Sequence, residues 1–190
     1  MNFDRCLIFV RHSLVDRIQD VPAREWNLSD VGRQRARKLV DKLIEYRPEV
    51  VISSDELKAQ QTAEILGEGL GLKYSVMKDL HEHDRRQVPF LDNGEFQSLV
   101  QEFFVKPDTL VFGNETANQA LVRFRGAIHL ALESSDAKTV LIVSHGTVIS
   151  LFVSWLTGQS SYAFWKGLGL PSFVVLDLQS KILLHVENSI

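Results

Sequence analysis

The residues with chemistry to offer fall in four short groups. Arg11-His12 directly follows the apolar run Cys6–Val10. Ser53-Ser54 closes the run that begins at Val50, and Lys58 lies one helical turn further on. Ser144-His145-Gly146 follows Thr139–Val143, and a charged stretch carries Leu80-His81-Glu82. Two imidazoles with an arginine and a lysine suit a phosphoryl group. The guanidinium fork matches phosphate oxygens bidentately, and lysine adds a point charge. A neutral imidazole is a competent nucleophile near neutral pH, its reference pKa being about 6.5. Cationic neighbours would hold His12 unprotonated and would stabilise a phosphoryl group in transfer. The leaving alkoxide then needs a proton. A carboxylic acid of raised pKa would supply it, and Glu82 is the candidate.

The elements that must position these groups are legible from hydrophobic pattern. Cys6–Val10, Val50–Ser53 and Thr139–Val143 read as strands buried on both faces. Ser29 looks like the N-cap of a helix carrying Ala36, Leu39, Val40, Leu43 and Ile44 on one side, with Arg33, Arg35, Lys38 and Lys42 on a solvated face. Ser53-Ser54-Asp55 offers cap chemistry for a second helix through about Leu66, ended by Gly67, Gly69 and Gly71. Lys73–Met77 is a weaker strand. Asp79–Asn93, rich in charge and broken by Pro89, reads as a loop. Helical faces follow at Phe96–Phe104, at Ala117–Leu132 and at Gly146–Leu156. Phe173–Leu178 and Lys181–Val186 flank a Gln179-Ser180 turn and read as an antiparallel hairpin. Strands alternating with helices predict an α/β architecture with a mostly parallel central sheet, in which ligands bind beyond the carboxyl ends of the strands. That rule brings Arg11, His12, Lys58 and His145 to one rim.

Composition narrows the field. The 190 residues suit a single domain spanning 1–190, with an insertion around 82–114 near the site. The net charge of −3 offers no basic field for nucleic acid. The lone Cys6 excludes an internal disulfide framework and any multi-cysteine zinc site. No apolar stretch is long enough for a signal-peptide core or a membrane span, so a cytoplasmic location and no membrane partner are expected. Ser53 and Ser144 lie outside the Gly-x-Ser-x-Gly elbow of serine hydrolases. His81 and His83 would share a face of an extended segment and invite a metal; the adjacent Arg85 and Arg86 argue against a cation there. Those arginines line a substrate entrance or pair with Asp79 and Glu82. Trp26, Trp155 and Trp165 read as core, and Tyr162–Phe173 as core or loop packing, with a pocket wall or subunit interface as the alternative.

The ordered set Phe9-Val10-Arg11-His12, Leu28-Ser29-Asp30-Val31-Gly32-Arg33-Gln34, Ser53-Ser54 … Gln61-Thr62-Ala63-Glu64, Leu80-His81-Glu82 and Val143-Ser144-His145-Gly146 resembles the histidine phosphatase superfamily, the phosphoglycerate mutase-like proteins. Gly113-Asn114-Glu115 and Arg123 extend the resemblance over nearly the whole chain. It implies a three-layer α/β/α sandwich and a phosphohistidine mechanism without metal or other cofactor. By resemblance, His12 is the phosphorylated nucleophile, Arg11 the phosphate-binding arginine beside it, His145 the second histidine on the phosphoryl oxygens, and Glu82 the acid–base residue.

Three departures bear on activity. The family's Arg-His-Gly is Arg11-His12-Ser13 here, and a serine side chain is expected to crowd or re-bond the phosphate loop. Its second arginine is Lys58, which keeps charge but loses the bidentate fork. His83-Asp84-Arg85-Arg86 stands where the family often has a glycine. The leading expectation is a phosphatase for a phosphorylated small molecule or a phosphoprotein. A phosphoglycerate-type mutase, a phospho-ligand-binding module without turnover and a metal hydrolase remain in competition. Substrate and oligomeric state stay open.

Overall fold

A computed structural model describes residues 5–189. Six strands form one sheet: β1 (Cys6–Arg11), β2 (Val50–Ser54), β3 (Tyr74–Met77), β4 (Thr139–Ser144), β5 (Ser172–Asp177) and β6 (Ile182–Glu187), in the spatial order β3-β2-β4-β1-β5-β6. The first four are mutually parallel. β5 returns antiparallel to β1 and pairs with β6 as the expected hairpin.

Alternate residues of the buried strands serve opposite faces, as the two-residue period requires. Ile8, Val10, Leu141 and Val143 face helices α1 (Asp30–Leu43) and α2 (Leu57–Leu70) through Leu39, Leu43, Ala63 and Leu66. Leu7, Phe9, Val140 and Ile142 face the other layer, which contains α3 (Asn93–Val105), α4 (Ala117–Glu133), α5 (Gly146–Thr157) and α6 (Ser161–Gly167). There Phe9 meets Phe152 edge-on at 5.2 Å between ring centroids. The result is the three-layer α/β/α sandwich with a mostly parallel sheet and a C-terminal antiparallel hairpin. No helix among the described residues is long and apolar enough to cross a membrane.

Local details differ from the pattern-based reading. Helix α2 starts one turn later than Ser53-Ser54-Asp55, with Glu56 at the cap. The Ser54 hydroxyl accepts from the Glu56 backbone N–H at 3.2 Å, so serine chemistry steadies the turn while Glu56 opens the helix. The helix also runs through Gly67 and Gly69 to Leu70; only Gly71, at φ 70°, ends it. Two-sided packing explains this: a Cβ at Gly67 would lie 2.6 Å from the Leu72 carbonyl oxygen, and one at Gly69 2.6 Å from Val40. These glycines are small to allow contact. Of the three tryptophans only Trp165, half-buried, packs against the core. Trp155 is exposed beneath the Arg125 guanidinium, 3.7 Å from its ring centroid, and Trp26 and Trp165 line the main cavity.

Candidate active site

The strand register builds the rim. Arg11 at the end of β1 is opposite Ser144 at the end of β4, and the His12 backbone N–H donates to the Ser144 carbonyl at 3.0 Å. His12 and His145, 133 positions apart in sequence, therefore stand with ring centroids 5.2 Å apart at 61°. Ser53 of β2 pairs with Val143, which brings the start of α2 alongside. A cavity of about 870 Å³ opens above these strand ends; Arg11, His12, Glu56, Lys58, Glu82 and Thr147 lie on its walls. His145 is fully buried behind it.

His12 is oriented as a nucleophile would be. Its Nδ1 lies 2.8 Å from the Ser13 carbonyl. A carbonyl only accepts, so Nδ1 carries the proton and Nε2 keeps the lone pair. Burial, then the charges of Lys58, His145 and Arg11, push its pKa well below the usual imidazole range. Ser13 does not crowd this arrangement. Its hydroxyl donates to the Gly32 carbonyl at 2.7 Å, and its N–H donates to Thr62 Oγ1 at 3.2 Å. The side chain faces α1 and α2 and stays off the cavity wall. The first turn of α1 presses on this segment: the Ser29 N–H donates to the Leu14 carbonyl at 3.0 Å, and a Cβ at Gly32 would lie 2.1 Å from that oxygen.

Arg11 crosses the start of α5. Its Nη1 donates to the Leu168 carbonyl, and its buried Nε has no protein partner. Gly146 makes the crossing possible, since a Cβ there would stand 2.9 Å from Arg11 Cζ. His145 Nε2 lies 2.8 Å from Ser54 Oγ, and its Nδ1 has no protein partner. Burial is the largest cause that takes its pKa down to about 4, against the opposing pull of Glu56.

Glu82 is held by backbone donors. Its two carboxylate oxygens accept from the N–H groups of His83 at 2.9 Å and of Thr147, in the first turn of α5, at 3.2 Å. Burial works to raise its pKa, but Arg85, His145 and these two bonds win, and the group sits below the usual carboxylate value. The expectation of a raised pKa does not hold among these neighbours. Behind Glu82, the Arg123 guanidinium donates to the carbonyls of Asp79 (2.9 Å), His81 (3.0 Å) and Glu82 (3.2 Å), and pairs with the Glu115 carboxylate. Glu115 also accepts from the Asp84 N–H at 2.9 Å. The Gly113–Glu115 and Arg123 motif thus clamps the acid loop.

His81 and His83 both lie against the cavity. His83 is buried against Phe103, with centroids 4.2 Å apart, and its Nε2 is 3.1 Å from the Glu115 carbonyl. Among the described residues no group of three or more His, Cys, Asp or Glu is arranged to hold a metal ion. Arg86 pairs with Asp84 at 2.7 Å, rather than with Asp79 or Glu82. Arg85 lies over Phe96, 4.8 Å from its centroid. Both arginines line the cavity entrance, as does Trp165 from the stretch read as core or loop.

One wall residue had no place in the sequence reading. Glu56 is 6% exposed, and its carboxylate takes the Lys58 ammonium and the Glu82 N–H, the latter at 2.9 Å. It lies 3.7 Å from His145 Nε2. The sequence signal was an acid two positions before Lys58. Lys58 itself is 5% exposed and also donates to the Ala23 carbonyl at 2.7 Å.

The fold is an α/β/α sandwich with an arginine and two histidines at the strand ends, and the comparison with known proteins gives its family. The chain belongs to the histidine phosphatase superfamily (branch 1), whose family model matches residues 7–182. It is 27% identical over 141 residues to a probable phosphoglycerate mutase of Cronobacter sakazakii, covering 72% of this chain and 66% of that protein. It is 26% identical over 131 residues to an uncharacterized phosphatase, PhoE, of Bacillus subtilis, covering 69% and 65%. The match thus spans slightly less than two thirds of either relative. Among solved structures, a mycobacterial glucosyl-3-phosphoglycerate phosphatase superposes with a TM-score of 0.79 at 22% identity, over 98% of this chain and 99% of that one. The alpha-ribazole phosphatase of Shigella flexneri gives 0.73 at 21% identity, over 97% and 96%.

Proposed function

We propose that this chain is a phosphomonoester phosphatase that works through a phosphohistidine at His12. The observation that carries the reading is the fixed tautomer of His12: Nδ1 is spent on the Ser13 carbonyl, and Nε2 is unprotonated on a cavity wall beside Arg11 and Lys58. In the first half-reaction Nε2 attacks phosphorus and the P–O bond to the alcohol breaks. Arg11 and Lys58 carry the charge on the phosphoryl oxygens, and the unpartnered Arg11 Nε and His145 Nδ1 supply further donors.

The leaving oxygen takes its proton from Glu82. That carboxyl is held below the usual carboxylate value, but an arriving phosphoryl dianion disfavours a second negative charge beside it and lifts its pKa. In the second half-reaction Glu82 takes a proton from water, which attacks phosphohistidine and releases inorganic phosphate. The substrate is a phosphorylated small molecule, and no metal or cofactor has a step.

The test is hydrolysis of p-nitrophenyl phosphate in the presence of a chelator, with His12→Ala alongside. Turnover that survives the chelator and falls by about 10³-fold or more on substitution supports the reading. Equal inertness of both proteins overturns it. The likeness to a probable phosphoglycerate mutase supports a second reading, in which a substrate hydroxyl outcompetes water for the phosphoryl group. Exchange between 2- and 3-phosphoglycerate would identify that activity.

A further inference from the structure

Glu56 is placed where a phosphoryl group would bind. Its carboxylate is shielded from solvent and accepts from two directions on one side of the cavity. The Lys58 ammonium is on one oxygen, while the Glu82 N–H, at 2.9 Å, is on the other, with His145 Nε2 3.7 Å from it. These are donors that an anion entering beside His12 would seek. Lys58 and His12 lie on the wall of the same cavity, and the Lys58 charge helps to keep the His12 imidazole neutral.

The charge balance points the same way. Beside the cations Arg11 and Lys58 the cavity wall carries two carboxylates, Glu56 and Glu82, with Arg85 close enough to act on Glu82. The imidazoles of His12 and His145 are both driven toward the neutral form by burial. The Glu56 carboxylate therefore offsets the Lys58 ammonium, and a phosphoryl dianion gains full use of that cation only by displacing it. A buried carboxylate within reach of a second anion must move, or take up a proton. Lysine has three donors, of which Glu56 and the Ala23 carbonyl occupy two.

We infer that Glu56 is a resident anion of the phosphoryl subsite, a built-in competitor that the substrate's phosphoryl group must displace from Lys58. The inference rests on the phosphatase reading only in requiring that the pocket receives a phosphoryl group. Phosphate alone then binds weakly and product leaves readily. Selection falls on substrates whose leaving group adds contacts at the arginine- and aromatic-lined entrance. Glu56 is thus a specificity-determining residue that acts through competition.

Calorimetric binding of inorganic phosphate to the whole chain tests this without turnover. Glu56→Gln removes the charge, yet its amide oxygen can still accept from the Glu82 N–H. Phosphate should bind at least tenfold more tightly to this variant than to the unaltered protein. Glu56→Asp, a methylene shorter and withdrawn from Lys58, should show a smaller gain. Unchanged or weaker binding in both variants, each verified as folded by its thermal melt, would overturn the inference and make Glu56 a holder of Lys58. A crystal structure of the unaltered protein with inorganic phosphate is the second measurement, and it needs no variant. A phosphate oxygen on Lys58 with the Glu56 carboxylate swung away supports displacement; an intact Glu56–Lys58 pair beside bound phosphate refutes it. Continued hydrolysis of p-nitrophenyl phosphate with no gain from Glu56→Gln would sink the inference alone. Absence of phosphate binding in every protein would sink both it and the phosphatase reading.

Discussion

The two ends of the cavity are built on different principles. At the inner end, Arg11, His12 and His145 emerge from strand ends whose register fixes them, and the Leu168 and Ser13 carbonyls and the Ser54 hydroxyl orient them. At the entrance, Arg17, Arg85 and Arg86 come from loops and rest on aromatic rings or a single aspartate. Arg17 lies over both Phe90, at 5.0 Å, and Trp26, at 5.8 Å, and bonds only to Asn93 at 2.9 Å. A rigid inner end suits chemistry that tolerates little misplacement, and a loop-built entrance suits recognition. A smaller depression of about 420 Å³ at the C-terminal end of α2 presents neither histidine nor arginine and plays no part in either.

The sharpest way to strain this division is Glu82→Gln, which removes the proton and, with a single amide oxygen, keeps one of the two bonds to His83 and Thr147. For an alkyl phosphate, kcat should fall by about 10²-fold or more, the usual weight of a general acid. For p-nitrophenyl phosphate, whose leaving group needs little help, the loss should be clearly smaller. Equal losses with both substrates would remove Glu82 from the proton path.

Acid should act on the buried imidazoles next. Folding pushes His83 and His145 down to about 4 and His12 down as well, all chiefly by burial. The unfolded chain takes up these protons near the reference pKa of about 6.5, where the folded chain refuses them. Their effect is therefore absent above about pH 7.5, and stability falls as pH drops from about 6.5 toward about 4. Thermal melts from pH 8 to 5 should show Tm flat at the top and declining below. A Tm that holds constant down to pH 5 would contradict the neutral buried imidazoles.

Ser13→Ala should cost about 1 kcal/mol or somewhat more in urea unfolding, because the buried Gly32 carbonyl loses its donor. It should not raise turnover, since the hydroxyl never reaches the cavity. A gain in kcat would show that the serine does restrain the phosphate loop. The smallest effects belong to the entrance. Arg17→Ala should raise KM about two- to fivefold for an anionic substrate, more than it lowers kcat, as expected for an exposed charge that binds without touching the reacting atoms. A loss confined to kcat would merge the two ends into one catalytic unit.

The buried parallel strands were readable because a strand covered on both faces must be apolar at every position. Cys6–Val10 and Thr139–Val143 satisfy that without reference to anything else in the chain. The α2 boundaries were harder. A serine cap and three glycines look like start and stop signals, but packing against Val40 and Leu72 requires small residues inside the helix. His83 illustrates the same limit. Its spacing from His81 fits an extended segment with both residues against the cavity, yet the aromatic wall of Phe103 and Phe112 buries it.

By itself the sequence determined the alternation of strands and helices, and with it the rim where Arg11, His12, Lys58 and His145 meet, because local hydrophobic period and strand ends are properties of contiguous residues. The tertiary structure decided what each side chain does on that rim. It sent the Ser13 hydroxyl to α1, gave His12 its tautomer, lowered the Glu82 carboxyl through backbone donors and set Glu56 on Lys58. Those outcomes depend on which distant segments the sheet order brings together, and hydrogen bonding and burial act across space without regard to sequence separation.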